Sequence, residues 1–524
     1  MRPGLPRLGL AAALGAGVGA GQVPLSLWWL ALPALVAVLA LAGRAVERAA
    51  AGWWGFVAGF GYALITLYWI VDPFFVEPEV YGWMAPFALA FMAAGMGLFW
   101  TLGFAVGHGL GAGPRSRSFG IALGLAASDL ARSYLFTGFP WGLIGHLWIE
   151  TPVAQAAALI GAQGLGALTL GLAALAAAGF AQPWTGGGGA RRERRAPPLS
   201  RALPAGVALV GLAGLWGFGA ARLAAPEPVR AEPLTLRLVQ PNAPQDLKWL
   251  PDYRMEFFFR HLDLTARAPA PGAPRPDLIL WPETAVPFLL ERPGDGLMMI
   301  AEAAQGVPVA LGIQRSEGLR YYNSLAVIGV GGAVEAVYDK YHLVPFGEYV
   351  PLGDLAARLG LTAFAAQAGN GYSAGPGPRV LDLGRLGLAQ PLICYEAVFP
   401  QDIRRAPTRP DWLMQVTNDA WFGQMAGPWQ HLALARWRAI EFGLPLARAA
   451  NTGVSAMIDA RGRITASLGM GQMGALDAAL PAALPPTLYA RIGDLPLAAI
   501  LAAVSAFIYR IARRYRVDPV QPGE

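Results

Sequence analysis

Eight apolar stretches, each long enough to cross a lipid bilayer, constrain this chain more than any other feature of its sequence. Seven occupy about residues 6–22, 25–43, 52–71, 82–108, 118–136, 153–181 and 203–222, and one lies near 492–511. A hydrocarbon core of about 30 Å needs roughly 20 apolar residues in a helix, and backbone groups inside lipid must be satisfied within the spanning element. The sequence therefore predicts a polytopic α-helical membrane domain of about eight spans.

The overall composition agrees with a membrane protein. Hydrophobic residues make up 55% of the 524 residues and charged residues only 14%, against about 25% charged residues in soluble proteins. The mean hydropathy is +0.41. The net charge of +6 comes mostly from scattered arginines, so the sequence shows no long basic surface of the kind that binds nucleic acid.

The arginines are unevenly distributed between the loops that join the apolar stretches. The basic loops and ends carry Arg2 and Arg7, Arg44 and Arg48, Arg115 and Arg117, Arg191, Arg192, Arg194 and Arg195, and Arg510, Arg513, Arg514 and Arg516. The alternate loops carry Asp72, Glu77, Glu79 and Glu150. Because basic loops stay in the cytoplasm, both termini and a flexible Gly-rich linker at 186–189 should be cytoplasmic.

This orientation predicts three regions. Residues 1–222 form a seven-helix transmembrane domain, residues 223–491 form a periplasmic domain, and residues 492–524 form the final span with a cytoplasmic tail. The recurring apolar segments also differ from a single cleavable signal peptide placed before a soluble chain.

Residues 233–484 show short apolar or alternating runs that end at Pro, Gly or Asp. Strands are predicted at 234–239, 277–281, 307–314, 324–329, 389–394 and 412–417, and a helix at 430–450. Runs at 454–459 and 463–467 flank the turn Asp459-Ala460-Arg461-Gly462 and indicate a hairpin. Strands mixed with helices predict a layered α/β sandwich.

The chain contains one cysteine, Cys394, at the end of a predicted strand. An intramolecular disulfide and a Cys-based zinc or iron–sulfur site are therefore excluded. A strand-to-turn position is where a nucleophile is presented to a substrate. A lone cysteine can equally be a small buried hydrophobic residue with an inert thiol.

Two further residues follow predicted strands. Glu283 in Trp281-Pro282-Glu283-Thr284 is either a partly buried base or the N-terminal cap of a helix. Lys340 is one of only two lysines, the other being Lys248. It could stabilise an oxyanion, pair with a carboxylate, or lie on a solvated face.

Three residues near these positions allow other roles and another catalytic pairing. Glu348 could hold Lys340 in place or cap a turn. His342 and His431 keep a Cys–His dyad possible, because periodicity alone does not show which side chains meet.

Several motifs together resemble the nitrilase superfamily and, more narrowly, its membrane-bound branch, the apolipoprotein N-acyltransferases. The matching stretches are Phe139-Pro140-Trp141, Pro244-Gln245-Asp246-Leu247-Lys248-Trp249, Trp281-Pro282-Glu283-Thr284, Asp339-Lys340, Phe346-Gly347-Glu348-Tyr349-Val350-Pro351, Ile393-Cys394-Tyr395-Glu396, Asn418-Asp419-Ala420-Trp421-Phe422-Gly423 and Gly427-Pro428-Trp429-Gln430-His431. Their order covers nearly the whole chain, without a departure at the Glu, Lys and Cys positions.

The resemblance implies a four-layer αββα nitrilase-type sandwich and specific catalytic roles. Glu283 would be the general base, Cys394 the nucleophile that forms a thioester, and Lys340 the oxyanion stabiliser with a backbone N–H near Tyr395. Glu348 would be an accessory carboxylate. Tyr395, Glu396 and Trp249 would be supporting residues.

The resemblance also implies substrates and a location. The acyl donor would be a membrane phospholipid, and the acceptor the α-amine of an N-terminal diacylglyceryl-cysteine on an apolipoprotein, with ping-pong kinetics. No cofactor and no metal are expected, and a monomer suffices. The protein should lie in the bacterial inner membrane.

Leu359, Leu361 and Phe364 could form a lid that dips into the membrane, or could pack on the domain's own core.

Two other functions remain open from the sequence. A membrane-anchored nitrilase could use water as acceptor and act as an amidase or nitrile hydrolase. A transporter with a periplasmic binding domain is the other alternative, but transporters often show internal repeats and midplane charges. The sequence has no repeat of fixed period, and Asp129, His108 and His146 lie near predicted span ends.

Overall fold

The structure is a computed structural model that describes residues 5–180, 198–351 and 371–514. The chain divides into two compact units, Met1–Ala225 with Leu488–Glu524, and Pro226–Thr487. The predicted linker at 186–189 and the predicted lid residues Leu359, Leu361 and Phe364 lie outside the described residues.

The first unit is helical. Its α-helices are α1 (Leu5–Gly19), α2 (Trp28–Gly43), α3 (Arg48–Thr66), α4 (Pro78–Tyr81), α5 (Ala85–Leu110), α6 (Pro114–Arg132), α7 (Ala157–Phe180), α8 (Pro198–Ala224), α13 (Leu488–Ile492) and α14 (Leu495–Arg514). Each predicted apolar stretch overlaps one of these helices, with bounds that differ by a few residues.

Within the described residues, four helical stretches are long and apolar enough to cross a membrane. They are Arg48–Thr66, Pro78–Leu110, Pro152–Phe180 and Ala202–Ala224, and two shorter apolar helices cover Trp28–Gly43 and Leu495–Arg510. These lengths and compositions support membrane helices. The count of eight spans stays a prediction.

The helix predicted at 118–136 ends earlier, at Arg132. Phe136 and Thr137 have φ angles of +55° and +83°, which a continuing right-handed helix does not allow. The Arg132 guanidinium donates to the carbonyl oxygens of Phe139 at 2.5 Å and Trp141 at 2.8 Å. These bonds satisfy backbone groups of the irregular segment that follows the helix.

Within its described residues, the second unit contains two six-stranded sheets. The first has the order β12-β1-β2-β3-β4-β5 and the second the order β11-β10-β9-β8-β7-β6. The strands are β1 (Thr235–Gln240), β2 (Leu278–Leu280), β3 (Val309–Glu317), β4 (Arg320–Ile328), β5 (Val334–Asp339), β6 (Leu381–Asp382), β7 (Leu388–Ile393), β8 (Trp412–Thr417), β9 (Leu446–Ala450), β10 (Ser455–Ile458), β11 (Ile464–Leu468) and β12 (Gly474–Ala479). The α-helices in the described part of this unit are α9 (Arg254–Ala266), α10 (Gly296–Ala304), α11 (Pro400–Arg404) and α12 (Gly427–Phe442).

Successive side chains along the strands point to opposite faces of the sheet, and each face packs into its own hydrophobic core. Leu278 and Leu280 point into a core shared with residues of the second sheet, such as Trp412. Ile279 and Trp281 point to the opposite face, where α9 and α10 pack. Successive strand side chains point to opposite faces of a sheet, so one short apolar strand can serve both cores. The full αββα layering stays a prediction.

The predicted helix at 430–450 is partly wrong. Helix α12 ends at Phe442, Gly443 adopts a left-handed φ of +62°, and residues 446–450 form β9 between β8 and β10. A left-handed glycine is a common helix terminator. Alanines in β9 satisfy an apolar helical spacing equally well, so the pattern extended the helix too far. The predicted hairpin is confirmed as antiparallel β10 and β11.

Candidate active site

Three polar residues lie where strands end in the second unit. Glu283 follows β2 and Lys340 follows β5 in the first sheet, while Cys394 follows β7 in the second sheet. Rigid strands followed by loops are suited to hold reactive side chains. The arrangement brings these three residues into one buried cluster.

Cys394 forms a tight elbow between β7 and a 3-10 turn at Cys394–Val398. Its φ of +51° is left-handed, a conformation that is rare for a non-glycine residue and frequent at functional sites. Burial raises the pKa of the Cys394 thiol well above its usual value, and the Glu283 charge adds to this, whereas Lys340 opposes it. The resting thiol is therefore protonated and needs a base to become a nucleophile.

Lys340 is the buried cation of the cluster. Its Nζ lies 2.9 Å from the Glu348 carboxylate and 3.5 Å from Glu283 Oε1. Burial alone would lower the pKa of Lys340, but the charges of Glu348 and Glu283 outweigh it and raise that pKa. Lys340 therefore remains an ammonium ion, which can stabilise negative charge that develops on a substrate.

Asn323, in the middle of β4, links the two carboxylates. Its Nδ2 donates to Glu283 Oε1 at 2.7 Å and to Glu348 Oε1 at 2.9 Å. Both partners are acceptors, so the amide must present its NH₂ group to them. No sequence pattern identified Asn323 as a site residue. Asparagine is depleted in strands, which was the available signal.

Backbone N–H groups also donate hydrogen bonds to the Glu283 and Glu348 carboxylates. The Asn418 N–H donates to Glu283 Oε2 at 2.9 Å, and the Val344 N–H donates to Glu348 Oε2 at 2.9 Å. Charge-assisted hydrogen bonds of this kind hold a carboxylate in one orientation.

The second lysine supports the segment that carries Glu283. Lys248 is 4% exposed, and its Nζ donates to the Glu283 carbonyl and to Thr284 Oγ1, both at 3.3 Å. Burial, opposed by the Glu283 charge, lowers the pKa of Lys248 to about 8. Trp249 is half-buried, and its ring centroid lies 5.1 Å from this amine.

Glu396 ties the Cys394 elbow to the segment after Lys340. One oxygen accepts hydrogen bonds from the Tyr338 hydroxyl at 2.6 Å and the Tyr341 N–H at 2.7 Å. The other accepts from the Ile393 N–H at 2.7 Å. Burial raises the pKa of Glu396 to about 6, while the Tyr338 bond opposes the shift. Its contacts are those of a positioning residue.

Two histidines near the site contact a backbone carbonyl and a carboxylate. The Nε2 of His431 lies 3.0 Å from the Cys394 carbonyl oxygen, and the Nδ1 of His342 lies 2.8 Å from Asp402 Oδ2. Tyr395 packs edge-on against His342, with ring centroids 5.8 Å apart. Glu283 is the carboxylate whose charge acts most strongly on the Cys394 thiol.

Comparison with known proteins identifies relatives along most of the chain. A family model of the apolipoprotein N-acyltransferase N-terminal domain matches residues 14–175, and the carbon-nitrogen hydrolase family model matches residues 237–485. The chain is 40% identical over 481 residues to the apolipoprotein N-acyltransferase of Rhodopseudomonas palustris, covering 89% of this chain and 86% of the relative.

A second relative and one solved structure also resemble this chain. The apolipoprotein N-acyltransferase of Bradyrhizobium diazoefficiens is 40% identical over 489 residues, covering 90% of this chain and 88% of the relative. The crystal structure of an amidase from Nesterenkonia sp. is 20% identical, with a TM-score of 0.37, and covers 52% of this chain and 97% of the amidase.

Proposed function

Because the chain belongs to the apolipoprotein N-acyltransferase family, we propose that it transfers an acyl chain from a membrane phospholipid to an apolipoprotein. The acceptor is the α-amino group of the N-terminal diacylglyceryl-cysteine. One observation carries the proposal: the only cysteine of the chain forms a buried, left-handed elbow beside a carboxylate and an ammonium ion.

The first half-reaction forms a thioester on Cys394. The Glu283 carboxylate takes the thiol proton as the sulfur attacks the ester carbonyl of the phospholipid. Lys340 and the Tyr395 N–H stabilise the tetrahedral oxyanion. When the carbon–oxygen bond breaks, Glu283 returns the proton to the departing lysophospholipid.

The second half-reaction transfers the acyl group to nitrogen. The neutral α-amine attacks the thioester, the carbon–sulfur bond breaks, and an amide is formed. Glu283 accepts the amine proton and returns it to the Cys394 sulfur. Two products that leave in sequence through one covalent intermediate define a ping-pong mechanism.

The remaining predicted residues take supporting roles. Glu348 holds Lys340 through a 2.9 Å contact, and Glu396 holds the elbow through its bonds to the loop after Lys340. Tyr395 supplies the second oxyanion donor. Trp249 covers the buried Lys248 amine.

The membrane arrangement is part of the proposal. Residues 1–222 and 492–524 span the bacterial inner membrane eight times with both termini cytoplasmic, and residues 223–491 are the periplasmic catalytic domain, in a protein active as a monomer. Both substrates are lipids, which explains why the reactive domain is joined to a membrane unit.

The test is to incubate the purified protein in detergent with a phospholipid that carries a labelled acyl chain. Intact-protein mass spectrometry should detect one acyl adduct, absent in Cys394→Ala and strongly reduced in Glu283→Gln. Glu256→Gln is the matched control, because this exposed carboxylate pairs only with surface Arg260 in the described structure. A diacylglyceryl-cysteine peptide should then discharge the adduct.

The same experiment distinguishes the hydrolase. An adduct that water discharges as fast as the peptide does would make this protein an esterase or amidase. A folded protein that forms no adduct would contradict acyl transfer through Cys394.

A further inference from the structure

A buried polar cluster lies directly beneath the Cys394 elbow. It consists of Asp419, His431 and Arg448, each fully buried, and they come from the turn after β8, from α12 and from β9. Asp419 and His431 belong to two motifs that the proposed chemistry does not use. Buried charged groups are costly unless they are paired, so the cluster needs an explanation.

His431 connects this cluster to the nucleophile. Its Nδ1 lies 2.9 Å from Asp419 Oδ1, and its Nε2 lies 3.0 Å from the Cys394 carbonyl oxygen. A carbonyl oxygen is only an acceptor, so the bond to Cys394 is a donation from the Nε2–H of the ring. The ring therefore fixes the position of a backbone oxygen.

Asp419 is itself held in one orientation. Arg448 Nη2 donates to Asp419 Oδ2 at 2.5 Å, and the Thr417 hydroxyl donates to Oδ1 at 3.1 Å. Burial raises the pKa of Asp419, but the charges of Arg448 and His431 outweigh it and hold that pKa at about 2. The carboxylate stays ionised and keeps His431 oriented.

A second donor reaches the same carbonyl. Gln415 Nε2 lies 3.3 Å from the Cys394 oxygen, and Gln415 is fully buried in β8. Cys394 has a φ of +51°, which a residue with a Cβ maintains only when its surroundings hold it there. Two donors on one carbonyl provide that restraint.

Fixing this carbonyl also fixes the next amide. The Cys394 C=O and the Tyr395 N–H belong to one planar trans peptide, in which the two groups point in opposite directions. The first N–H groups of a helical turn also point out of that turn, and Tyr395 is the second residue of the 3-10 turn.

We propose that His431, oriented by Asp419 and assisted by Gln415, is a positioning residue that directs the Tyr395 N–H at the oxyanion of the tetrahedral intermediate. This inference rests on the proposed acyl transfer through Cys394. His431 acts through the peptide, by the contact of its Nε2 with the Cys394 carbonyl oxygen.

Two substitutions of His431 distinguish the contact made by its Nε2 from the contact made by its Nδ1. In His431→Gln the side-chain amide places a donor near the former Nε2 position, so the bond to the Cys394 carbonyl is retained. In His431→Asn the amide reaches only the former Nδ1 position, beside Asp419. We expect Asn to lower the acylation rate by about 100-fold, as for other lost oxyanion donors, and Gln to lower it by at most about tenfold.

The readout compares two reactions of the same sulfur. Acylation by a labelled phospholipid passes through an oxyanion, whereas alkylation by iodoacetamide is a direct displacement without one. His431→Asn should therefore slow acylation of Cys394 and leave its alkylation rate nearly unchanged. Because the chain has one cysteine, mass spectrometry assigns both adducts.

A stability control uses a different buried network. Arg237 is 3% exposed and pairs with Asp477 across β1 and β12. Arg237→Gln should lower the melting temperature without changing the ratio of acylation to alkylation. If His431→Asn does not fold, Gln415→Met removes the other donor and should lower acylation by up to about tenfold.

The outcomes are distinguishable. Selective loss of acylation in His431→Asn, with recovery in His431→Gln, supports the inference. Parallel loss of both reactions, equal rates in all variants, or selective loss in Arg237→Gln would overturn it. Wild-type protein that is alkylated but never acylated would instead overturn the proposed function and, with it, this inference.

Discussion

A neutral side chain allows two carboxylates to share one buried ammonium ion in this protein. Glu283 and Glu348 both contact Lys340, which brings two acidic side chains close together in a buried site. Asn323 donates one hydrogen bond to each carboxylate. Like charges close together repel strongly when buried, so a neutral donor that bonds to both carboxylates stabilises their close approach.

Asn323→Asp should therefore inactivate the enzyme while nearly preserving shape. The variant replaces a donor with a third acceptor. A lost hydrogen bond to a charged group costs about 1.5–3 kcal/mol, so the acylation rate should fall at least about tenfold at neutral pH. Stopped-flow or quenched acylation measures it, and an unchanged rate would show that Asn323 does not maintain the two carboxylates.

Lys248 should make the stability of the protein depend on pH. Burial lowers its pKa from 10.5 to about 8, although the Glu283 charge opposes this shift. Between these pH values the unfolded chain binds more protons than the folded chain. The free energy of unfolding should therefore rise as pH rises from 8 to 10.5. The gain for a shift of this size is on the order of 3 kcal/mol.

Lys248→Met is the matched comparison for this prediction. Methionine has a similar length and does not titrate, so the variant should lack the rise while other groups titrate as in the wild type. Thermal unfolding in detergent from pH 7 to 10.5 measures both curves. Parallel curves would mean that Lys248 is not the group responsible.

At the scale of elements, the site depends on how closely the segment after β2 passes over β3. A Cβ at Gly312 would lie 2.5 Å from both the Glu283 Cα and the Thr284 nitrogen. The Gly312 N–H also donates to the Pro282 carbonyl at 3.2 Å. Only a residue without a side chain permits this approach, so β3 determines where Glu283 lies.

Gly312→Ala should displace the backbone that carries Glu283. Overpacking of this kind costs about 1–3 kcal/mol, and the acylation rate should fall further than the loss of stability explains. Gly474→Ala is the control, because its Cβ would meet only the flexible end of Leu468 at 3.2 Å. Equal activity of both variants at a permissive temperature would contradict the prediction.

At the scale of the whole molecule, the chain combines a helical unit with a two-sheet unit. The helical unit has apolar helices long enough to cross a membrane, and the second unit contains the reactive cluster. The arginine pattern predicts the orientation of both. The matches to the two relatives cover 89% and 90% of this chain, so they include both units.

Orientation can be tested with single cysteines in a Cys394→Ala background. Leu319, 98% exposed between β3 and β4, and Val46, 83% exposed between α2 and α3, are suitable sites. A membrane-impermeant maleimide added to spheroplasts should label Leu319→Cys at once, and Val46→Cys only after permeabilisation. The opposite labelling pattern would reverse the predicted orientation.

Local signals in the sequence determined the helices, most strands and the strand-end positions of Glu283, Lys340 and Cys394. Apolar periodicity and turn residues act over a few positions, so one sequence suffices to read them. The boundary between α12 and β9 was missed, because an alanine-rich run suits both a helix and a central strand.

Only the tertiary structure decided which side chains meet. Asn323 faces both carboxylates, and His431 contacts the Cys394 carbonyl oxygen. Residues far apart in sequence make these contacts, which depend on sheet order and on the packing of α12. No local pattern encodes them. The sequence therefore determined which chemical groups the protein has, and the fold decided which of them act together.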